Sequence, residues 1–419
     1  MSSMPRAQYV FAGIFPASLV IAALAMGHGG DLVTGMTRIL LSPSVLLHDY
    51  VSIGGLPAAF LNAGTLGLLC VFFLAGLKID LSGPFIAALH TVIGFAFFGK
   101  NLLNVWPIVF GVWLYARVSG SSLRKYALLA VFGTTLAPIV SALAFGGWLD
   151  TAPAIAVAII FGTASGFVLP PLASHMLRFH DGYNIYNVGF TGGIIGSFFV
   201  ALLRGFGYGF SPPPLSASGN DGIARIFIMI SLALAIVGGL LLGRRTIASL
   251  LDDTGKIYRS TGRLVSDFTV IGSAPAAVVN MGVMGLIASS YVLLLGGSFS
   301  GPVIGGILTV TGFGAFGKHP ANSIPILLGV FIAAHCKIWE VQATSVIIAG
   351  LFGTTLAPIA GSFGPVAGMV AGFIHLSIVH NVGALHGGVN LYNNGFAGGF
   401  VASFLVPIIN AFARKDEGR

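Results

Sequence analysis

Apolar runs of roughly 16 to 25 residues recur along the whole chain, each ended by a short polar or glycine-rich break. A helix needs about 20 apolar residues to cross hydrocarbon, so each run predicts a membrane span. The pattern places them near 8–27, 55–76, 83–98, 101–117, 126–145, 153–176 and 185–207, then near 225–243, 273–296, 301–316, 322–336, 344–362, 364–381 and 391–411. The third and fourth runs of each set are short and joined only at Gly99–Asn101 or Gly317–His319. Two forms stay open for these pairs, a full crossing or a re-entrant hairpin. The fold expected is an all-α integral membrane bundle of about 10 to 14 helices, some short or broken.

The two sets are copies of each other. From Ser82 to Gly111 and from Ser300 to Gly329, at an offset of 218, 15 of 30 residues are identical, and Phe132–Ile139 (FGTTLAPI) returns unchanged at Phe352–Ile359. The chain therefore reads as repeat 1 over 1–209, a Pro-, Ser- and Gly-rich linker over 210–221, and repeat 2 over 222–419. An odd number of segments per repeat turns the second copy upside down. Duplicated multi-helix units of this kind are typical of transporters, which place a polar path where the repeats meet.

Composition agrees with the bilayer reading. Hydrophobic residues make up 56% and charged residues 8%, whereas a water-soluble surface needs about 25–35% charged side chains. The net charge of +8 comes from residues in short loops, so it carries orientation rather than nucleic-acid affinity. With a cytoplasmic N-terminus and every segment crossing, only Arg38, Lys100, Arg204, Arg225 and Lys337 fall outside, and the other 15 of the 20 Lys and Arg fall inside. Both termini are then cytoplasmic, in a bacterial inner membrane. The first run resembles a signal peptide, but its counterpart at Arg225–Gly243 is internal, which argues for retention. Cys70 and Cys336 belong to no metal or redox spacing, so neither metal nor cofactor is expected.

Candidate chemistry lies in what both copies retain. At an offset of 206, His180, Asn184, Tyr186 and Asn187 match His386, Asn390, Tyr392 and Asn393, each followed by a dense Gly-Phe-x-Gly-Gly stretch. Glycine lets helices break, and a broken helix exposes backbone groups that must face protein or water. Asparagine offers both a donor and an acceptor, suited to a small polar solute. Helix capping by Asn184 and Asn390 is the alternative, and Asn187 and Asn393, deeper in the segment, are favoured for the path. In FGTTLAPI, Pro138 and Pro358 free a carbonyl, and Thr134, Thr135, Thr354 and Thr355 either repair the break or touch a solute. Lys100 and Lys318 sit at the hairpin tips, as anion-attracting charges or as snorkelling side chains. Asp49 and Asp267 precede Ile-Gly-x-x-Pro, as helix caps or ion-coupling carboxylates. His180 and His386 read as interfacial.

The alternation of glycine-rich spans with FGTTLAPI and Tyr-Asn-x-Gly-Phe-x-Gly-Gly in each half resembles a family of bacterial multi-pass membrane proteins of unknown function, over nearly the whole chain. More distantly, Tyr186, Asn187, Gly189, Tyr392, Asn393 and Gly395 in two inverted repeats are similar to the urea-transporter fold. That resemblance implies five spans and a tilted half-crossing helix per repeat around a narrow pore, often in a trimer. The Asn-Asn-Pro motif of that family is absent from this sequence.

The function expected is a permease, carrier or channel, for a small polar solute in the lipid bilayer, without nucleic acid and with homo-oligomers possible through the glycine-rich faces. A rival is a proton- or sodium-coupled carrier of a small organic anion, with Lys100 and Lys318 as counter-charges and Asp49 or Asp267 coupling the ion. A rival of another class is a membrane enzyme on a lipid-linked substrate, using His180, Asp181 and His386.

Overall fold

The computed structural model describes residues 4–210, 222–242 and 247–416. The linker at 210–221, apart from Phe210, and the basic pair Arg244 and Arg245 lie outside the described residues. The described chain is all helix apart from turns and loops.

The first copy runs α1 (Met4–Met26), α2 (Gly29–Leu40), α3 (Tyr50–Gly54), α4 (Leu56–Gly76), α5 (Gly83–Phe95), α6 (Trp106–Val118), α7 (Ala127–Gly133), α8 (Ala137–Phe145), α9 (Thr151–Phe179) and α10 (Asn187–Gly205). The second runs α11 (Gly222–Leu242), α12 (Ile247–Arg259), α13 (Phe268–Ile271), α14 (Ala274–Leu294), α15 (Gly301–Phe313), α16 (Pro320–Cys336), α17 (Thr344–Gly353), α18 (Ala357–Phe363), α19 (Pro365–Val382) and α20 (Asn393–Asp416). Among the described residues, ten stretches are long and apolar enough to cross a bilayer. Four more, α5, α6, α15 and α16, are apolar but shorter. At about 1.5 Å per residue, the 13 residues of α5 or α15 fall well short of a bilayer of about 30 Å.

Those short helices occupy the centre. All 13 residues of α15 are buried, and all of α5 except Pro84 and His90. A helix apolar on every face has nowhere to go but inside. The two meet at Gly94 and Gly305, where a Cβ on either would stand 2.7 or 2.6 Å from the other's carbonyl oxygen. Side chains at that crossing would force the helices apart.

Where α5 and α15 stop, the chain bends and bares its carbonyls, and asparagines retained in both copies satisfy them. Asn62 Nδ2 donates to the carbonyls of Ala96 and Lys100, both at 2.8 Å, and Asn280 Nδ2 donates to those of Gly314 and Lys318 at 2.6 and 2.8 Å. Asn104 and Asn322 donate in the same way to Gly99 and Gly317, at 2.8 and 2.9 Å. An unpaired carbonyl in a water-free interior is costly, so these four amides hold the hairpin tips in shape.

Four helices lie outside the apolar runs, the short α3 and α13 and the longer α2 and α12. In α2, Leu32, Gly35 and Ile39 face inward while Asp31 and Arg38 sit at its ends. Its counterpart α12, one repeat later, buries Ile257 and carries Lys256 beside Asp252 and Asp253 at 2.9 and 3.0 Å. Their apolar positions recur every three or four residues, a helical rhythm that a search for continuous apolar runs passes over.

Candidate functional site

The two FGTTLAPI segments break at the same place, and each break is closed by the other copy. Pro138 and Pro358 stand in the first turns of α8 and α18 and cannot donate backward, so single tight turns at Thr134–Leu136 and Thr354–Leu356 interrupt the helices. The Thr355 hydroxyl donates to Asn184 Oδ1 at 2.5 Å and accepts from the Tyr186 amide at 2.9 Å. Its carbonyl accepts from the Ile185 amide at 3.0 Å, and Asn184 Nδ2 reaches the Gly395 carbonyl at 2.9 Å. The reciprocal set is complete. Thr135 donates to Asn390 Oδ1 at 3.0 Å and accepts from the Tyr392 amide at 3.0 Å, its carbonyl accepts from Leu391, and Asn390 Nδ2 donates to Gly189. Asn184 and Asn390 therefore tie a non-helical stretch of one copy to the broken helix of the other.

Glycine makes this exchange possible. A Cβ on Gly189 would lie 2.5 Å from Tyr392 Cβ, and one on Gly395 would lie 2.8 Å from Tyr186 Cβ. Equivalent residues thus meet across the seam, and the Tyr186 and Tyr392 rings stand 4.6 Å apart.

Asn187 and Asn393 open α10 and α20 one residue beyond those tyrosines. Each has its amide engaged within its own copy. Asn187 Oδ1 is paired with His180 Nε2 at 3.1 Å while its Nδ2 donates to the Ala173 carbonyl at 3.0 Å. Asn393 repeats this with His386 at 2.9 Å and Val379 at 3.1 Å. His180 and His386, read from sequence as interfacial, are buried and hold these amides in place. Asn393 also lines a cavity of about 50 Å³ shared with Asn394, Ser345, Phe98 and Phe352, room for roughly four waters.

The lysine layer lies beside the tyrosines. Lys100 and Lys318 are both wholly buried rather than snorkelling, and among the described residues neither has a carboxylate within ion-pair distance. Lys318 Nζ donates to the Tyr186 hydroxyl at 2.5 Å and to Thr354 Oγ1 at 2.7 Å, and lies over the Tyr186 ring at 4.4 Å. Thr354 in turn donates to the Leu351 carbonyl at 2.5 Å. Lys100 has no such cradle. Its ammonium lies 5.1 Å over the Phe95 ring and meets no hydrogen-bond acceptor. Tyr392, which would be its partner by repetition, shares a 2.7 Å hydrogen bond with Thr91, and Thr134 donates to Val131 at 2.7 Å.

Asp49 and Asp267 cap α3 and α13 and also cross the seam. Asp49 Oδ1 accepts from the Val51 amide at 2.9 Å and from the Gly301 amide of the second copy at 3.1 Å. Asp267 Oδ1 accepts from Thr269 at 2.9 Å and from Gly83 of the first copy at 3.0 Å. A carboxylate at a helix start is favoured by the unpaired amides there. Both acids thus anchor the buried helices α15 and α5 to the opposite copy.

A family of sequences described as "Protein of unknown function (DUF1576)" matches residues 29–205 and 246–411. The chain belongs to this family. Its two matched pieces begin where α2 and α12 begin, so the family's pattern follows the duplication and passes over the stretch that holds α11. No curated protein and no solved structure matches the chain.

Some site residues had no signal in the repeat comparison. His375 Nε2 and Asn394 Oδ1 form a buried pair at 2.9 Å, yet the first copy has Leu169 and Val188 there. Phe95, Phe98 and Phe352 are each retained in both copies, but nothing in sequence shows that rings of the two copies meet in one aromatic layer. Thr91 is retained in both copies, but nothing in sequence pairs it with Tyr392.

Proposed function

We propose that the protein is a membrane permease for a small polar solute, with its path along the seam where the two copies exchange Asn, Thr and Tyr. The observation that carries this reading is the lysine layer: two wholly buried lysine side chains at the meeting of the copies, with no carboxylate partner among the described residues. A scaffold gains nothing from such a layer, since ionisable groups at membrane depth are expensive and typically serve transport. The copies are proposed to lie in opposite orientations, as in the urea-transporter plan, because each contributes an odd number of crossings whether its hairpin spans or re-enters. Both termini are then cytoplasmic, in a bacterial inner membrane, as the basic loops favour. Rocking of one copy against the other would give alternating access, with the tight Asn–Thr exchange as the pivot.

Purified protein in liposomes, followed by osmotic shrink–swell over urea, amides, polyols and carboxylates, tests the proposal. A solute-selective rise in permeability above protein-free vesicles is expected. Equal permeability for every solute would refute it.

A further inference from the structure

Lys318 shows what a buried lysine in this seam takes as partners: two hydroxyl oxygens and two aromatic faces, Tyr186 and Phe313. Lys100, its counterpart in the same Phe-Gly-Lys sequence, has only the face of Phe95, the counterpart of Phe313. Of the two oxygens that repetition would supply, the Tyr392 hydroxyl is shared with Thr91, while Thr134 makes the same bond to the carbonyl three residues back that Thr354 makes and accepts nothing from Lys100. A wholly buried group with three N–H donors and no acceptor is half of a binding site. What is missing is a pair of acceptor oxygens, with a negative charge to offset the lysine's.

We propose that Lys100 binds a small monocarboxylate, whose two oxygens stand where hydroxyls stand at Lys318. This rests on the permease reading and names its substrate class. One negative charge matches Lys100 alone, since Lys318 already has its hydroxyl partners and among the described residues no Asp or Glu pairs with Lys100. The walls point to a short apolar tail. The Phe95 ring beneath the Lys100 amine touches Phe98 and Phe352 at 5.0 and 5.6 Å, and those two rings wall a cavity of about 50 Å³ that Lys100 and Phe95 themselves do not line. That volume suits a solute of acetate size, with room for roughly four water-sized groups. Ser345, His380, Asn393 and Asn394 supply its polar lining, and Leu391 and Ile348 part of its apolar one. When the copies rock, the roles exchange: Tyr392 and Thr134 close on Lys100, and Lys318 is released to face the other side.

Exchange of radiolabelled acetate against unlabelled acetate in proteoliposomes, at a pH where acetate is ionised, tests this without depending on any coupling ion. Acetamide, its neutral isostere, is the paired probe. Saturable acetate exchange is expected, reduced tenfold or more in K100Q and largely kept in K100R, with little acetamide exchange. Acetate but not acetamide should also raise the unfolding temperature of the wild-type chain, a reading that needs no variant. Exchange of acetamide without acetate, acetate exchange unchanged in K100Q, or no thermal shift with acetate overturns the carboxylate assignment and leaves the permease standing. If neither probe exchanges while the osmotic assay shows another solute passing, the assignment again falls alone. If no solute passes at all, the permease reading falls with it.

Discussion

The Asn–Thr layer and the lysine layer are built from the same duplicated motifs, yet one is symmetric and the other is not. Asn184 with Thr355 and Asn390 with Thr135 make the same bonds in both directions. Lys318 and Lys100 do not: one holds two hydroxyls and the other none. The same Asn and Thr side chains also bond backbone that the motif itself positions, so matching sequence gives matching contacts. The lysine contacts are not repeated, since Tyr186 takes Lys318 whereas Tyr392 takes Thr91. A symmetric layer suits a fixed pivot, and an asymmetric one suits a switch.

The sharpest way to break this contrast is to remove the exchange itself. Thr355→Val leaves both Asn184 Oδ1 and the Tyr186 amide without that hydroxyl, and a buried polar group left unpaired costs about 1–3 kcal/mol. Thr135→Val should cost nearly as much, since its bonds are the mirror set. Thermal unfolding in detergent measures both, and losses differing several-fold would end the claim of a symmetric pivot.

Gly189→Ala and Gly395→Ala come next, each placing a methyl within 2.8 Å of a tyrosine Cβ. Overpacking of this kind costs about 1–3 kcal/mol. Because Gly189 makes the closer approach, its variant should be the less stable of the two in the same assay.

The lysines should then part company. Lys100→Met removes a buried charge that bonds nothing in this state, and is expected to raise the unfolding temperature by an amount worth about 1 kcal/mol or more. Lys318→Met also removes two hydrogen bonds, so its gain should be smaller or reversed. Equal effects would show that the two ends are equivalent in solution.

The smallest effect is expected at the helix caps. Asp49→Ala and Asp267→Ala should each cost about 1 kcal/mol, the usual loss of an N-cap. If transport by either variant became independent of a sodium or proton gradient while stability held, the acid would be more than an anchor.

Much of this molecule can be read from the chain. Long apolar runs permit only a bilayer, and two copies at a fixed offset specify a duplicated bundle whose third and fourth segments are too short to match the rest. The retained asparagines, threonines and lysines were identifiable as a group because duplication marks positions that both halves need. Their partners were not. Asn184 finds its acceptor at Gly395, 211 residues away, and no periodicity carries information over that distance. The amphipathic helices α2 and α12 were passed over for the opposite reason, since their signal is a rhythm and not a run.

The amino-acid order alone decided the solvent, the duplication and the places where helices must break, because hydropathy, proline and glycine act within a few residues of themselves. Only the packed structure decided which copy closes each break and which lysine is held. Those outcomes depend on contacts between segments far apart in the chain, and two copies of one motif meeting at a seam need not occupy equivalent positions on either side of it.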